Sequence, residues 1–254
     1  MVSTTLRPLS VGEILDVSFT LYRRHFATLG TIAVVCSGVP VLFSLYIEAA
    51  GGVLQNLSLT LVYYVAFTVL SSIATAATVF VVSASYLGQP LSAASALRRA
   101  TPLIGRLIAC SLLLAIVVGF GFLFFLIPGV VLVCGLILAF PALVLEPGSS
   151  PMGALSRSWS LTRGSRWRML GLLVTLAILL YVPILAVGAI ATLLLPSDGA
   201  GSMSPGVMTL AALGVLQMLL YPLLYCVLTV AYYDLRVRKE GFDLEVLAST
   251  LQPA

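Results

Sequence analysis

Hydrophobic and polar positions along this chain fall into long blocks. Six apolar stretches, most of them near the ~20 residues needed to cross bilayer hydrocarbon, alternate with short polar connections. They run approximately over 27–46, 59–86, 107–126, 129–145, 169–195 and 207–233. The pattern predicts an all-α, polytopic integral membrane protein with six transmembrane helices in a single membrane domain over residues 1–254.

The basic residues predict the topology of these spans. Cytoplasmic loops retain Lys and Arg, and the connections 47–58, 127–128 and 196–206 contain neither. The thirteen basic residues form four clusters, which are Arg7, Arg23 and Arg24; Arg98, Arg99 and Arg106; Arg157, Arg163, Arg166 and Arg168; and Arg236, Arg238 and Lys239. If the clusters share one side, each intervening stretch crosses an even number of times. We therefore predict three hairpins with both termini in the cytoplasm.

The stretch from Leu107 to Leu145 is too long for one span, because a helix rises ~1.5 Å per residue and the hydrocarbon is ~30 Å thick. Ile127, Pro128 and Gly129 interrupt it. Proline restricts the residue before it and glycine permits unusual dihedrals. We predict a tight reversal at this point, on the outer surface.

A short segment with helical periodicity precedes each hairpin, and we interpret it as a cytoplasmic interfacial helix. In the first, Ser10 and Glu13 match a capping box, and the predicted apolar face runs through Ile14 and Phe19. The segment before the second hairpin, from 91 to 106, is shorter and its pattern is weaker.

The third such segment has clear helix-start signals. Ser150 is the predicted N-cap and Pro151 the first helical residue, followed by an apolar stripe through Met152, Leu155 and Trp159. The first and third segments align in one register, so we interpret the chain as three repeats, 9–90, 91–148 and 149–235. The alternative is that every hairpin needs such a lead-in and no duplication occurred. The cytoplasmic tail 234–254 is predicted to form one short amphipathic helix after Gly241.

Composition excludes a soluble fold. Charged residues make up 9% of the chain and hydrophobic residues 60%, whereas soluble domains carry about 25% charged residues. Away from their ends, the predicted spans contain no Asp, Glu, Lys, Arg or His. Since a mid-bilayer charge costs about 2.5–3.5 kcal/mol and is usually kept for ions, protons or voltage, the pattern disfavours proton-coupled transport and voltage sensing.

Candidate chemistry is sparse. His25, the only histidine, lies beside Arg24, where interface anchoring is the favoured role over catalysis. The four cysteines are spaced singly in apolar segments, as small buried hydrophobic residues are. We predict no catalytic residue, no metal site, no cofactor and no nucleic-acid partner.

The arginines have two interpretations that are compatible. Their routine role is to hold loops inside and to contact anionic lipid headgroups. The candidates for such contacts are Arg23, Arg24, Arg98, Arg99, Arg163, Arg166 and Arg168. The sharper hypothesis is a specific pocket for a phosphorylated lipid after the third interfacial segment, formed by Arg163, Arg166 and Arg168. Glu146 is the candidate ion-pair partner of Arg157 or Arg163.

Prolines interrupt several spans, at Pro40, Pro141, Pro183 and Pro222. Broken helices expose backbone carbonyls to a substrate in many transporters, whereas an ordinary kink is satisfied by neighbouring helices, and the second interpretation is favoured. The Ser, Ala and Thr residues from 71 to 85 predict close helix packing in the second span.

Four segments carry a resemblance to a known family. They are RPLSVGEILDVSFTLYRRHF, the IPG turn, LEPGSSPMGALSRSWSLTRGSRWRML and YYDLRVRKEGFDLEVLA. With them the chain resembles the glycerophosphoryl diester phosphodiesterase membrane-domain family. The resemblance implies the six-helix architecture and a prokaryotic cytoplasmic membrane. It transfers no catalytic residue, because the histidines and metal-binding carboxylates of the phosphodiesterase barrel have no counterpart here.

Three functional hypotheses follow. The leading one is a non-enzymatic scaffold or accessory subunit in envelope or lipid physiology, either a homo-oligomer or bound to a membrane protein partner. The second is a carrier or flippase for a lipid or apolar small molecule, based on the interrupted spans and the repeats. The third and least favoured is lipid phosphodiesterase activity.

Overall fold

A computed structural model describes residues 7–89, 91–194 and 205–242 of the chain. All regular secondary structure within these ranges is helical. The helices are α1 (Val11–Arg24), α2 (Phe26–Ala49), α3 (Leu57–Tyr86), α4 (Ala93–Ala100), α5 (Ile104–Phe124), α6 (Leu126–Leu136), α7 (Ala139–Leu145), α8 (Pro151–Thr162), α9 (Arg166–Leu194) and α10 (Pro205–Glu240), with a 3₁₀ turn at Thr101–Leu103 between α4 and α5.

Six helical stretches are long and apolar enough to cross a membrane, which confirms the predicted number of candidate spans. They are α2, α3, α4 with α5, α6 with α7, α9, and α10. Within the described ranges, α2 packs on α3, α5 on α6, and α9 on α10. The short helix predicted after Gly241 falls on residues beyond Phe242, which lie outside the described ranges.

The predicted helix starts are confirmed at α1 and α8. The Ser10 hydroxyl accepts the Glu13 N–H, and the Glu13 carboxylate accepts the Ser10 N–H at 2.6 Å. Hydrogen bonds to its carboxylate, above all from the Ser10 N–H and then from the side chains of Ser10 and Arg7, lower the pKa of Glu13 to about 2. At α8 the Ser150 hydroxyl accepts the Gly153 N–H at 3.0 Å, with Pro151 at the first helical position.

The apolar faces predicted for α1 and α8 are only partly buried within the protein. In α1 the buried residues are Ile14, Ser18 and Leu21, whereas Phe19 is exposed. The buried face is centred on Ser18 because its hydroxyl bonds the carbonyl of Ile14 within the same helix at 2.6 Å, and so needs no water. In α8, Leu155 is buried but Met152 is 66% exposed.

The centre of the bundle lies where α3 meets α10. The small residues of α3 predicted to pack closely are buried from Ala74 to Val79. Near the end of α3 the ring of Tyr86 stacks on Tyr233 of α10 at 5.3 Å, and the Tyr233 hydroxyl lies 2.6 Å from the Ser83 hydroxyl. Small side chains let the two backbones approach closely.

The predicted reversal at Ile127–Gly129 is wrong by a few residues. The chain reverses at Phe125, whose backbone is extended (φ −167°, ψ 159°), and Pro128 lies in the first turn of α6. This position suits proline, because the N–H that it lacks has no acceptor in the first turn of a helix. Gly121 and Gly129 face each other across the reversal, since a Cβ on Gly121 would lie 3.1 Å from the Cα of Gly129.

The turn between α5 and α6, which we call the α5–α6 tip, is apolar throughout. From residue 112 to 145 the sequence has no polar side chain apart from the thiol of Cys134, and Leu123 and Phe125 are each 76% exposed. The Phe125 N–H bonds the carbonyl of Gly121, and the Phe125 carbonyl accepts the Gly129 N–H, both at 3.3 Å. These two bonds lower the cost of placing the turn in hydrocarbon, where water cannot bond to the backbone.

We therefore expect the α5–α6 tip to be shielded from water. In a cysteine-free background, Leu123→Cys should react far more slowly with a membrane-impermeant maleimide than Leu54→Cys, in vesicles opened so that both faces are accessible. Leu54 is the matched control because it is 94% exposed and lies in the connection with Gln55 and Asn56. Equal labelling rates would show that the tip reaches water.

Candidate functional site

A buried carboxylate joins three parts of the chain at one end of the bundle. Asp234 of α10 is 1% exposed. Its Oδ1 accepts the Leu9 N–H at 2.6 Å, and its Oδ2 lies 2.6 Å from Nη1 of Arg168, at the start of α9. Nε of Arg238 lies 3.2 Å from both oxygens, and the carbonyl of Leu9 accepts hydrogen bonds from Arg168 and Arg238. We call Leu9, Arg168, Asp234 and Arg238 the Asp234 junction.

A second network holds α8 at the same end. Nε of Arg157 lies 2.6 Å from Glu146 Oε1, and its Nη1 lies 2.5 Å from Glu240 Oε1. The Tyr232 hydroxyl donates to Glu146 at 2.8 Å, and Arg236 pairs with Glu240 one helical turn away at 3.0 Å. The hydrogen bond to Glu240, above all, raises the pKa of Arg157 above the already high value of an ordinary arginine, so this guanidinium stays charged. We call this set the Arg157 bridge.

The break between α6 and α7 is sealed by hydroxyl groups of α8. The Gly135 carbonyl accepts from Ser158 Oγ at 2.8 Å and from Thr162 Oγ1 at 3.0 Å, and Ser158 Oγ accepts the Leu138 N–H at 3.2 Å. Ser158 and Thr162 are fully buried. The Gly135 carbonyl and the Leu138 N–H at this break are thus hydrogen-bonded by a neighbouring helix. The interpretation of Pro141 as an ordinary kink stays a prediction.

Gly135 also provides the space in which α8 docks. A Cβ at this position would lie 2.3 Å from the ring of Trp159, closer than real contacts allow. The ring of Trp159 in turn carries the guanidinium of Arg166, whose Cζ lies 4.0 Å from the ring centroid. The break, the tryptophan and the arginine therefore form one stacked unit.

The side-chain hydroxyl of Tyr22 hydrogen-bonds a backbone carbonyl near Pro222. The Tyr22 hydroxyl of α1 donates to the carbonyl of Leu219 at 2.8 Å, one turn before the proline in α10. Proline removes one helical hydrogen bond and distorts its neighbours, so carbonyls in the preceding turn need other donors. Tyr22 thereby fixes α1 against α10.

His25, between α1 and α2, is held by a short contact. Its Nε2 lies 2.5 Å from the hydroxyl of Ser85, at the end of α3. Partial burial, and secondarily the charge of Arg24, lower the pKa of His25. This contact connects the α1–α2 junction to the end of α3. The anchoring role of His25 stays a prediction.

The structure separates the arginines that the sequence grouped. Arg157 and Arg168 are turned inward to carboxylates. Glu146 and Arg157 form an ion pair. Arg163 is exposed, and its backbone carbonyl accepts a hydrogen bond from the ammonium of Lys239. Arg166 is half-buried on Trp159.

The remaining candidates for headgroup contact lie on the surface. Arg23 and Arg24 end α1, Arg98 and Arg99 end α4, and all four are exposed. Within the described ranges none of them has a carboxylate partner within 4.0 Å. Their charges are therefore available to the surroundings.

Sequence reasoning missed the residues that organise this end. Asp234 and Glu240 were assigned to a surface tail, but α10 continues to Glu240. The available signal was the spacing of Asp234 to Arg238 and of Arg236 to Glu240, since charge pairs four residues apart support a helix. Ser158 and Thr162 carry no such signal, because their role depends on a break in another helix.

Comparison with protein families places most of the chain in a known family. The family described as Domain of unknown function (DUF7847) matches residues 26–235, from the start of α2 almost to the end of α10. The chain belongs to the DUF7847 family. No curated protein and no solved structure gives a significant match to it. The resemblance to the glycerophosphoryl diester phosphodiesterase membrane-domain family stays a prediction.

The DUF7847 match covers only part of each ion-pair network. It includes Arg168 and Asp234 of the junction and Glu146 and Arg157 of the bridge, all between 26 and 235. Leu9, Arg238 and Glu240 lie outside it. The matched region therefore contains a complete ion pair of each network, and the flanking segments add the second partner.

We expect Asp234→Asn to destabilise the protein by about 3 kcal/mol, because losing one partner of a buried ion pair leaves the other charge uncompensated. The matched control is Asp16→Asn, an exposed position where a change of at most about 0.5 kcal/mol is expected. Unfolding of the purified protein in mild detergent, followed by circular dichroism, measures both. Equal stability of the two variants would contradict a structural role for Asp234.

Proposed function

We propose that this DUF7847 protein is a non-enzymatic, multi-pass scaffold or accessory subunit in the cytoplasmic membrane of a prokaryote. Its apolar stretches form three hairpins, each introduced by an interfacial helix, with the arginine-rich end and both termini in the cytoplasm. The placement of every basic residue near the ends of apolar stretches supports this orientation.

The observation that carries the proposal is the contrast between a fastened end and open sides. The Asp234 junction and the Arg157 bridge connect the segment before α1, the α7–α8 region, α9 and α10. By contrast, only 11% of the most apolar stretch of α9 is buried in the protein, against 56% for α6 with α7. A fixed frame with uncovered apolar helix faces suits lateral association in a membrane.

We expect the protein to form a defined complex through α9. A photo-crosslinking residue at Ile178, which is 59% exposed, should give a discrete adduct in native membranes, because this face has few contacts of its own. The same residue at Leu54 is the control, since that position lies in a polar connection. In particles extracted with native lipid, the mass of the protein component alone should exceed the 26.8 kDa of one chain. A monomer without adducts at both positions would contradict the proposal.

The second candidate, a carrier for a lipid or apolar molecule, is favoured by one groove. A cavity of about 320 Å³ lies between α5, the α6–α7 break, α9 and α10. Its lining is apolar except for tyrosine hydroxyls, and includes Leu114, Ile137, Ala177 and Tyr225. A groove bordered by an interrupted helix is a feature of several transporters.

A carrier would move labelled phospholipid between leaflets after reconstitution into vesicles, and Ala177→Phe should abolish that activity by filling the groove. Gly171→Ala on the same helix is the control, because a Cβ there would meet nothing within 4 Å. Vesicles in which the unaltered protein moves no lipid would exclude this candidate. Lipid phosphodiesterase activity stays the least favoured candidate.

A further inference from the structure

Arg166 differs from the other arginines near α8. Arg157 and Arg168 each meet a carboxylate at 2.6 Å or less, and Arg163 projects into the surroundings. Arg166 is partly buried, yet within the described ranges no carboxylate lies within 4.0 Å of it. A guanidinium withdrawn from water normally requires an anion nearby.

The stack on Trp159 fixes how this guanidinium is presented. Its Cζ lies 4.0 Å from the ring centroid, and the ring itself is held against Gly135. The Nε atom is shielded from water and meets no acceptor among the described residues. A buried donor without an acceptor is costly, which indicates that another molecule supplies one.

An apolar groove begins at the same arginine. It has a volume of about 380 Å³ and lies between α6 and the start of α9. Its walls include Ile127, Val130, Val131 and Leu170, and Arg166 and Trp167 also line it. The indole of Trp167 is 86% exposed, as befits a tryptophan at a membrane interface.

We propose that this groove binds an anionic phospholipid, with one acyl chain along α6 and the phosphate at Arg166. The lining suits a hydrocarbon chain and the guanidinium suits a phosphate oxygen, with which arginine forms paired hydrogen bonds. A headgroup with its own cation is disfavoured, because the described lining of the groove contains no carboxylate to pair with it. The site rests on the proposed membrane orientation and adds a ligand to it.

The two tryptophans of the chain, Trp159 and Trp167, both lie at this site, so their fluorescence reports on it directly. The purified full-length protein is placed in vesicles that contain a small fraction of brominated phosphatidylglycerol or, separately, brominated phosphatidylcholine. Bromine on the acyl chains quenches indole at close range. We expect the anionic lipid to quench at about a fivefold lower fraction, the preference that one basic residue gives at a membrane surface.

Two variants test the two halves of the site. Arg166→Gln should make the two lipids equivalent, and Val131→Phe should weaken quenching by the anionic lipid by filling the groove while keeping the charge. Val131→Phe also keeps the test decisive if Arg166→Gln does not fold. Arg7→Gln removes one positive charge at an exposed arginine that pairs with Glu13 and is not a candidate headgroup contact, and this variant should keep the full preference.

Three outcomes would overturn the proposal. The first is an unchanged preference in Arg166→Gln or Val131→Phe. The second is an equal loss in Arg7→Gln, which would reduce the effect to general surface charge. The third is reversal of the quenching by millimolar inorganic phosphate, which would assign the arginine to a free anion. A monomer in the crosslinking experiment leaves the lipid preference intact, so the two failures are distinguishable.

Discussion

The burial of the Asp234 carboxylate constrains everything around it. An ionised group with 1% of its surface exposed must recover its lost hydration from partners, and here a backbone N–H and two guanidinium groups supply it. Those partners come from the segment before α1, from α9 and from α10 itself. Satisfying one carboxylate therefore fixes where three parts of the chain meet, and the second network on Arg157 adds α8 to the same end.

The second constraint comes from the breaks and kinks in the helices. Backbone carbonyls that these leave free are hydrogen-bonded by polar side chains from adjacent helices. Hydrocarbon offers no hydrogen bonds, so each carbonyl freed at a break or kink needs a donor from the protein. Ser158 and Thr162 serve Gly135, and Tyr22 serves Leu219. Each of these donors lies on α1 or α8, the short helices outside the candidate spans. Their hydrogen bonds dock them on the bundle, so they are structural parts of it as well as lead-ins to the spans.

How much of this arrangement the sequence predicts follows from the range of each interaction. Apolar length and helix caps depend on neighbours in sequence, and the number of spans and the starts of α1 and α8 were predicted correctly. The reversal at Phe125 was placed a few residues late, because proline is as compatible with the first turn of a helix as with the turn before it. The pairing of Asp234 with Leu9 joins residues 225 apart, and nothing local distinguishes a carboxylate that will be buried from one that stays on a tail.

The difference between local and long-range interactions also explains why neighbouring arginines have different roles. Sequence treats the four arginines from 157 to 168 as one basic cluster, but a guanidinium paired with an acid is electrostatically satisfied and attracts little else. Arg157 and Arg168 are satisfied in this way by Glu146, Glu240 and Asp234. Pairing those arginines internally leaves Arg166, held on Trp159 at the mouth of an apolar groove, as the half-buried cation whose counter-charge must come from outside the described protein. In a bilayer, a lipid phosphate is the anion that arrives with a hydrocarbon chain to fill such a groove.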